Sequence, residues 1–378
     1  MTATIDMPTS RARAICLFTG TLAAFAGAER ATATLANALA ARGHRVHVLS
    51  LWGHAPVFAL ADGVTHHALF AERVPFRRHY ASIVRRVRRY VRERAVDVMI
   101  DVDPMLALYT VPATLGLPVQ RIAWEHSTYA SDLGRRARRW ARALAAARYG
   151  AVVVLTDADR AAWLAHHPRA RARFVTLPNP LGLPMPDAPT PHDHDRCVLA
   201  VGRLVPDKGF DRLIAAWSRV AAGAPGWRVQ IVGDGPLRDA LIAQARDAGV
   251  ADSVSVLPAV RDVARYYASA AVYCLPSRRE SFGLVLLEAK AYALPVAAYA
   301  ADAGPRALLH DGVDSLVVED GDIPALADAL ARLIGDAGLR ERLGRAGYDH
   351  ARQFDAAVIA ARWEALWTPS GLTTEDVR

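Results

Sequence analysis

Lysine is nearly absent from this chain: of its 46 basic residues only Lys208 and Lys290 are lysines. Arginine serves everywhere else, so each lysine marks a place where a compact ammonium is not interchangeable with a planar guanidinium. Cysteine is also scarce. Cys16, Cys197 and Cys274 each fall in a strand-like apolar run, without close spacing. That argues against a disulfide framework and for buried free thiols in a reducing compartment. No apolar run is long enough to span a bilayer. Arg11 and Arg13 precede an apolar stretch ending AFAGA, which mimics a secretory leader, but Thr19, Gly20 and Thr21 interrupt it and a helical pattern follows. It reads as a first strand and loop, and the protein as cytoplasmic. Finally, the first strand–helix turn has no G-x-G-x-x-G, so the dinucleotide fingerprint is missing.

What is present is ordinary globular composition, 52% hydrophobic and 22% charged over 378 residues, which implies two domains. The net charge of +8 suits an acidic partner. No basic strand interleaved with aromatics supports nucleic acid, so none is expected. Residues 14–18 read as a buried strand, 28–42 as a helix stopped by Gly43, and 45–51 as the next strand. Further strands are expected at 97–101, 119–124 and 151–155, alternating with helical patterns. Between Leu177 and Arg196 lie six prolines, a stiff linker unlike its flanks. The alternation then restarts with CVLAVGR, RVQIVG, SVSVLP, AVYCLP and LPVAAY. The expected architecture is α/β, two Rossmann-like domains facing a cleft. The expected divisions are 1–180, a linker at 181–196, 197–353, and a C-terminal helix in 354–378 that crosses back to the first domain.

The segment ESFGLVLLE at 280–288 brackets an apolar helix, starting after Gly283, with two carboxylates. Were it all helical, Glu280 and Glu288 would stand roughly 12 Å apart. They suit two handles on one elongated ligand, with a helix N-terminus between them as an anion site. Equally, they suit a surface Glu and a second Glu paired elsewhere. Arg203 and Lys208 flank the loop GRLVPDKG after the first strand of the second half. They read as a diphosphate clamp or as solvated loop charges, and the rarity of lysine favours the clamp. His126 in WEHS is either a packed core residue or a rim residue facing ligand, and its place after a strand favours the second.

The set GRLVPDKG, VGDGPL, LPSRRESFGLVLLEA and LPV resembles the retaining glycosyltransferases of family 4, which have the GT-B fold. The resemblance covers nearly the whole chain. It implies that Arg203 and Lys208 hold a donor diphosphate, that Glu288 binds ribose, and that Glu280 contacts the transferred sugar. The amides of Phe282, Gly283 and Leu284 would assist, Gly233 would line the site, and the base would rest on backbone near 257–260. FAGAER resembles the family's GGAER loop, with Gly27 kept and Ala26 in place of the first Gly. His126 matches a His near the reacting centre. The contexts AWEHS and GPRALL are similar to bacterial enzymes that extend polyprenyl-diphosphate-linked saccharides, although Ala307 stands where that branch often has an acidic residue.

A nucleotide sugar, UDP-linked, is thus the expected co-substrate, with no other cofactor. Two D-x-D strings, Asp101/Asp103 and Asp157/Asp159, lie away from the donor half, and HDHD at 192–195 reads as a solvated run. A metal-independent reaction is therefore expected, with Arg203, Lys208 and the helix dipole in the metal's place. Arg135, Arg138, Arg139 and Arg142 recur at helical spacing as one cationic stripe, and 77–94 is a second Arg-rich helix. Either could face a pyrophosphate-bearing acceptor or the anionic inner face of a membrane, or be solvated surface. The rival expectations are a non-catalytic nucleotide-sugar-binding subunit and a nucleotide-sugar epimerase of the same fold. A phosphorylase would need a pyridoxal lysine, and only Lys290 is spare.

Overall fold

The computed structural model describes residues 11–131, 136–189, 196–299 and 302–367. Arg135, the 192–195 run and the tail past 367 lie outside the described residues. The chain divides into two compact units, Met1–Pro180 with Ala356–Arg378, and Leu181–Asp355.

The first unit runs β1 (Ala14–Thr19), α1 (Gly27–Ala41), β2 (Arg45–Trp52), β3 (Val64–Phe70), α2 (Phe76–Glu93), β4 (Val98–Asp101) and α3 (Ala107–Ala113). It continues with β5 (Gln120–Trp124), α4 (Arg136–Arg148), β6 (Ala151–Val154), α5 (Asp157–His166) and β7 (Arg173–Thr176). Its strands are all parallel, in the order β3-β2-β1-β4-β5-β6-β7. β1, β4 and β6 are buried at every residue, as central strands covered by helices on both faces must be. Gly43, at φ +88, lets the chain turn out of α1 into β2.

The second unit runs β8 (Cys197–Val201), α6 (Phe210–Val220), β9 (Arg228–Val232), α7 (Arg238–Asp247), β10 (Val254–Leu257), α8 (Ala264–Ala268) and β11 (Val272–Leu275). Then come α9 (Leu284–Ala291), β12 (Val296–Tyr299), α10 (Ala303–Leu308), β13 (Ser315–Val318), α11 (Ile323–Gly335) and α12 (Ala337–Ala351). This sheet is also parallel, β10-β9-β8-β11-β12-β13. In both sheets the strand order reverses once, between β1 and β4 and between β8 and β11. Ligands of open parallel sheets bind beyond the carboxyl ends at such a reversal. Among the described residues no helix is long and apolar enough to cross a membrane.

A last helix, α13 (Ala356–Glu364), packs on α1 of the first unit. Trp363 is buried with its ring 4.9 Å from that of Trp124. Glu364 accepts from Arg42 Nε at 2.5 Å and Nη2 at 2.9 Å, and lies 3.0 Å from His44 Nε2. Burial alone would raise the Glu364 carboxyl, but Arg42 and His44 outweigh it and hold it below its ordinary range. Glu364→Ala is expected to lower unfolding stability by about 2 kcal/mol in denaturant titration, discounting for the part-exposed Arg42. Because the folded carboxyl titrates below the unfolded one, this stability is complete above a pH of about 5 and is lost as pH falls through the acid range. The gap between variant and native chain should therefore narrow in acid; a gap that widens would contradict the pairing.

One expectation fails here. The α4 arginines do not form a single outward stripe, because Arg138 and Arg142 turn inward and are only 1% and 3% exposed. The carboxylates of Glu125 and Asp103, with the Ser127 hydroxyl and the carbonyls of Thr128, Tyr129 and Ser131, draw them in, which helical spacing could not reveal. On α2 the apolar Ile83, Val87 and Val91 are buried while Arg78, Arg85, Arg89 and Arg92 are exposed. Arg86 and Arg88 bond the carbonyls of Leu69, Ala113 and Leu115.

Candidate functional site

At the β8/β11 reversal three loops meet at backbone contact distance. Gly233, after β9, lies so close to the β8 loop that an added Cβ would stand 1.8 Å from the Gly202 carbonyl oxygen. Gly209, at φ +65 before α6, would place a Cβ 2.0 Å from the Pro276 carbonyl oxygen after β11. The Asp207 carbonyl accepts from the amides of Arg278 at 2.8 Å and Arg279 at 3.1 Å. The Arg278 guanidinium grips the Asp211 carboxylate with two bonds of 2.6 and 2.5 Å. The loop carrying Arg203 and Lys208 and the loop carrying Glu280 are thus one locked edge.

Across that edge the Lys208 ammonium pairs with the Glu280 carboxylate. The Lys208 stem runs past Gly202, its Cε 3.7 Å from where a Cβ there would sit. Arg203 is exposed; its carbonyl accepts from the Val205 amide at 2.8 Å, while its guanidinium makes no hydrogen bond or ion pair to any described residue. Glu280 is not helical: it lies in the loop, its amide bonded to Asp302 Oδ2 at 2.7 Å, and α9 begins at Leu284. Gly283 caps α9 at φ +95, a left-handed conformation glycine adopts without a Cβ penalty. No described side chain caps the α9 N-terminus, so its first amides are available to an anion. Phe282 and Leu284 are buried beside it. Glu288 is buried on α9 and accepts from the Tyr267 hydroxyl at 2.8 Å. Asp234 bonds the Ala259 amide at 3.1 Å, tying the Gly233 loop to the 257–260 segment.

Asp302 and Tyr267 were not singled out from sequence. Each sits in an apolar run with no spacing signal, and only the folded loop reveals it. Lys290 proves not to be spare. Its buried ammonium bonds Asp314 Oδ2 at 2.7 Å, the Leu308 carbonyl, and His350 Nδ1 at 3.2 Å. His310, Asp314 and His350 cluster tightly enough to suggest metal ligands, but the lysine already supplies the cation there. Burial alone would raise the Asp314 carboxyl, yet His350, Lys290 and His310 together hold it well below the usual carboxylate range.

In the first unit Gly27 opens α1, again without a side-chain cap. Neither D-x-D string is a free carboxylate pair. Asp101 is buried and bonded to Thr110 Oγ1 at 2.8 Å and to the Tyr149 hydroxyl; burial pushes its carboxyl up to about 7. Asp103 binds Arg138, while Asp159 accepts from the Thr156 hydroxyl and the Tyr129 amide, each at 2.8 Å. His126 follows β5, its ring 4.4 Å from that of Trp124, and its Nε2 has no hydrogen-bond partner among the described residues. Burial, with the charge of Arg138, pushes the imidazole down to about 3, so it is neutral near pH 7.

Two family models cover most of the chain: glycosyl transferases group 1 matches residues 186–350 and glycosyltransferase family 4 matches 25–183. An uncharacterized glycosyltransferase of Haemophilus influenzae is 28% identical over 340 residues, 90% of this chain and 96% of that protein. The amylovoran biosynthesis glycosyltransferase AmsD of Erwinia amylovora is 32% identical over 169 residues, 45% of this chain and 47% of its own. In structure, Anabaena HepE in complex with UDP-glucose superimposes with a TM-score of 0.75 at 20% identity, over 92% of this chain and 97% of that one. That likeness establishes the shared two-domain fold.

Proposed function

The chain belongs to the group 1 and family 4 glycosyltransferases, with the GT-B fold, and on that premise we propose a specific reaction. It moves a hexosyl or N-acetylhexosaminyl unit from a UDP-sugar to a saccharide acceptor, with retention of configuration, in cell-surface polysaccharide assembly. The observation that carries this reading is the Lys208–Glu280 pair at the β8/β11 reversal, with Arg203 on the same loop and α9 opening beside it. Two cations and a bare helix N-terminus suit a diphosphate. Lys208 and Arg203 take its oxygens, which releases Glu280 to the sugar hydroxyls, and Glu288 takes the ribose. The amides of Phe282, Gly283 and Leu284 add donors. Charge on the departing diphosphate is stabilised by these groups and the helix dipole, with no metal required. Attack is front-face, and the departing phosphate oxygen takes the acceptor proton. Likeness to HepE, solved with UDP-glucose, supports UDP, and similarity to the amylovoran enzyme supports a polysaccharide product.

The acceptor is carried on a polyprenyl diphosphate at the inner face of the membrane. The exposed arginines of α2 support this, as do Trp140 of α4 at 76% exposure and Leu115 at 68%, a mixture suited to an anionic lipid interface. In a panel of UDP, GDP and ADP with EDTA present, UDP should raise the unfolding temperature most. A larger shift from GDP would overturn the donor assignment. Salt-sensitive flotation with anionic liposomes should accompany it, and flotation with neutral liposomes alone would contradict the membrane contact.

A further inference from the structure

Residues 276–283, between β11 and α9, belong to no strand or helix, so their amides need partners from outside the segment. Three consecutive ones find them on two different loops. Arg278 and Arg279 donate to the Asp207 carbonyl, and Glu280 donates to Asp302 Oδ2 at 2.7 Å. Asp302 precedes α10, and β12, the strand before it, adjoins β11 in the sheet.

The bond to Asp302 is unusual for its donor. Asp302 has the extended backbone of a helix N-cap, φ −120 and ψ 167, yet its carboxylate caps no amide of α10. An aspartate so placed ordinarily accepts from the first amides of its own helix. Here it accepts instead from a residue 22 positions away, across to the neighbouring loop. Its mount is firm at both ends. Leu308, the last residue of α10, gives its carbonyl to the buried Lys290 ammonium. Gly304, in the first turn, lies so close to the other loop that an added Cβ would stand 2.3 Å from the Ser281 carbonyl oxygen and 2.6 Å from Phe282 Cα.

The Glu280 side chain is thus held in three places: its amide on Asp302, its Cγ 3.5 Å from where a Gly283 Cβ would sit, and its carboxylate on Lys208. Its side chain and that of Lys208 remain 14% and 18% exposed, within reach of a ligand. A diphosphate that drew Lys208 away would remove the third hold and leave the first two. The ion pair cannot then be what aims Glu280 in the loaded site, and a charge-assisted bond to its own amide can.

We propose that Asp302 is a positioning residue: from its mount on α10 it fixes the Glu280 backbone and so aims the Glu280 carboxylate at the sugar end of the donor. This rests on the reading that Glu280 takes the sugar hydroxyls.

The test compares Asp302→Ala with Asp302→Asn, which keeps an oxygen acceptor at the same reach. Because the carboxylate caps no helix, both should fold. In Asp302→Ala, exchange of the Glu280 amide should quicken by about tenfold or more, while α9 and β12 amides keep their protection. UDP alone should still raise the unfolding temperature as in the native chain, because Glu280 meets the sugar and not the diphosphate. UDP release from UDP-glucose should fall by about tenfold, the order expected from misplacing a group at the reacting end. Asp302→Asn should recover most of both the protection and the rate. Unchanged exchange at Glu280 overturns the proposal. So does a UDP response lost along with the rate, which would mean general collapse of the loop, and so does an asparagine variant no better than alanine. Should the native chain release no UDP from UDP-glucose, the donor reading itself fails, and exchange at Glu280 alone decides whether Asp302 holds it.

Discussion

Lys208→Ala should cut UDP release from a UDP-sugar by about two to three orders of magnitude, the size found when one fixed donor to a developing anion is removed. The loss has two sources. On the proposed donor site, the departing diphosphate would lose its point charge, and Glu280, without the ammonium it pairs with, would stand as a carboxylate beside the anion. Lys208→Arg should restore little. The lysine stem passes close to Gly202, and a planar guanidinium does not reproduce the compact point charge that pairs with Glu280. EDTA should leave the native rate unaltered. Activity in Lys208→Ala near the native level, measured by coupled detection of UDP, would remove the clamp from the mechanism.

Gly209→Ala is the second large effect. The position has φ +65, where a Cβ costs about 1–2 kcal/mol, and the new methyl would lie 2.0 Å from the Pro276 carbonyl oxygen. The obstacle is backbone, so it cannot swing aside, and overpacking of that kind adds about 1–3 kcal/mol. The β8 and β11 loops must separate, carrying Lys208 away from Glu280. Denaturant unfolding should show a loss of about 2–5 kcal/mol, together with loss of the UDP-induced thermal shift. Gly249→Ala provides the comparison. Its φ is +70, but nothing stands within 4 Å of an added Cβ. It should show the backbone cost alone and keep the UDP response. If the two variants behaved alike, close approach of the loops would not be what glycine is needed for.

The central strands were legible in sequence because burial on both faces leaves near-continuous apolar runs, as in AICLFT of β1 and VYCL of β11. β3, β7 and β13 were not anticipated. β3 and β7 are edge strands; β3 carries His66 and His67 in its middle, and β7 is only four residues long. Lys208 stood out because lysine is so rare, and Glu280 because it begins an apolar stretch that a charge should avoid. The inward turn of Arg138 and Arg142 was invisible for a different reason. Spacing shows that two side chains share a helix face, but not which way the face points. Their partners, Glu125 and Asp103, come from loops after β5 and β4, which adjoin only in the folded sheet. Asp302, which bonds the Glu280 amide, was hidden likewise.

The most direct measurement is acceptor-free release of UDP from UDP-hexoses by the native chain in excess EDTA, set beside Lys208→Ala under the same conditions. Steady release by the native chain, undiminished by chelation and nearly absent from the variant, is the expected result. Release that stops on chelation, or that continues undiminished in Lys208→Ala, would contradict a donor site built from Lys208, Arg203 and the α9 N-terminus.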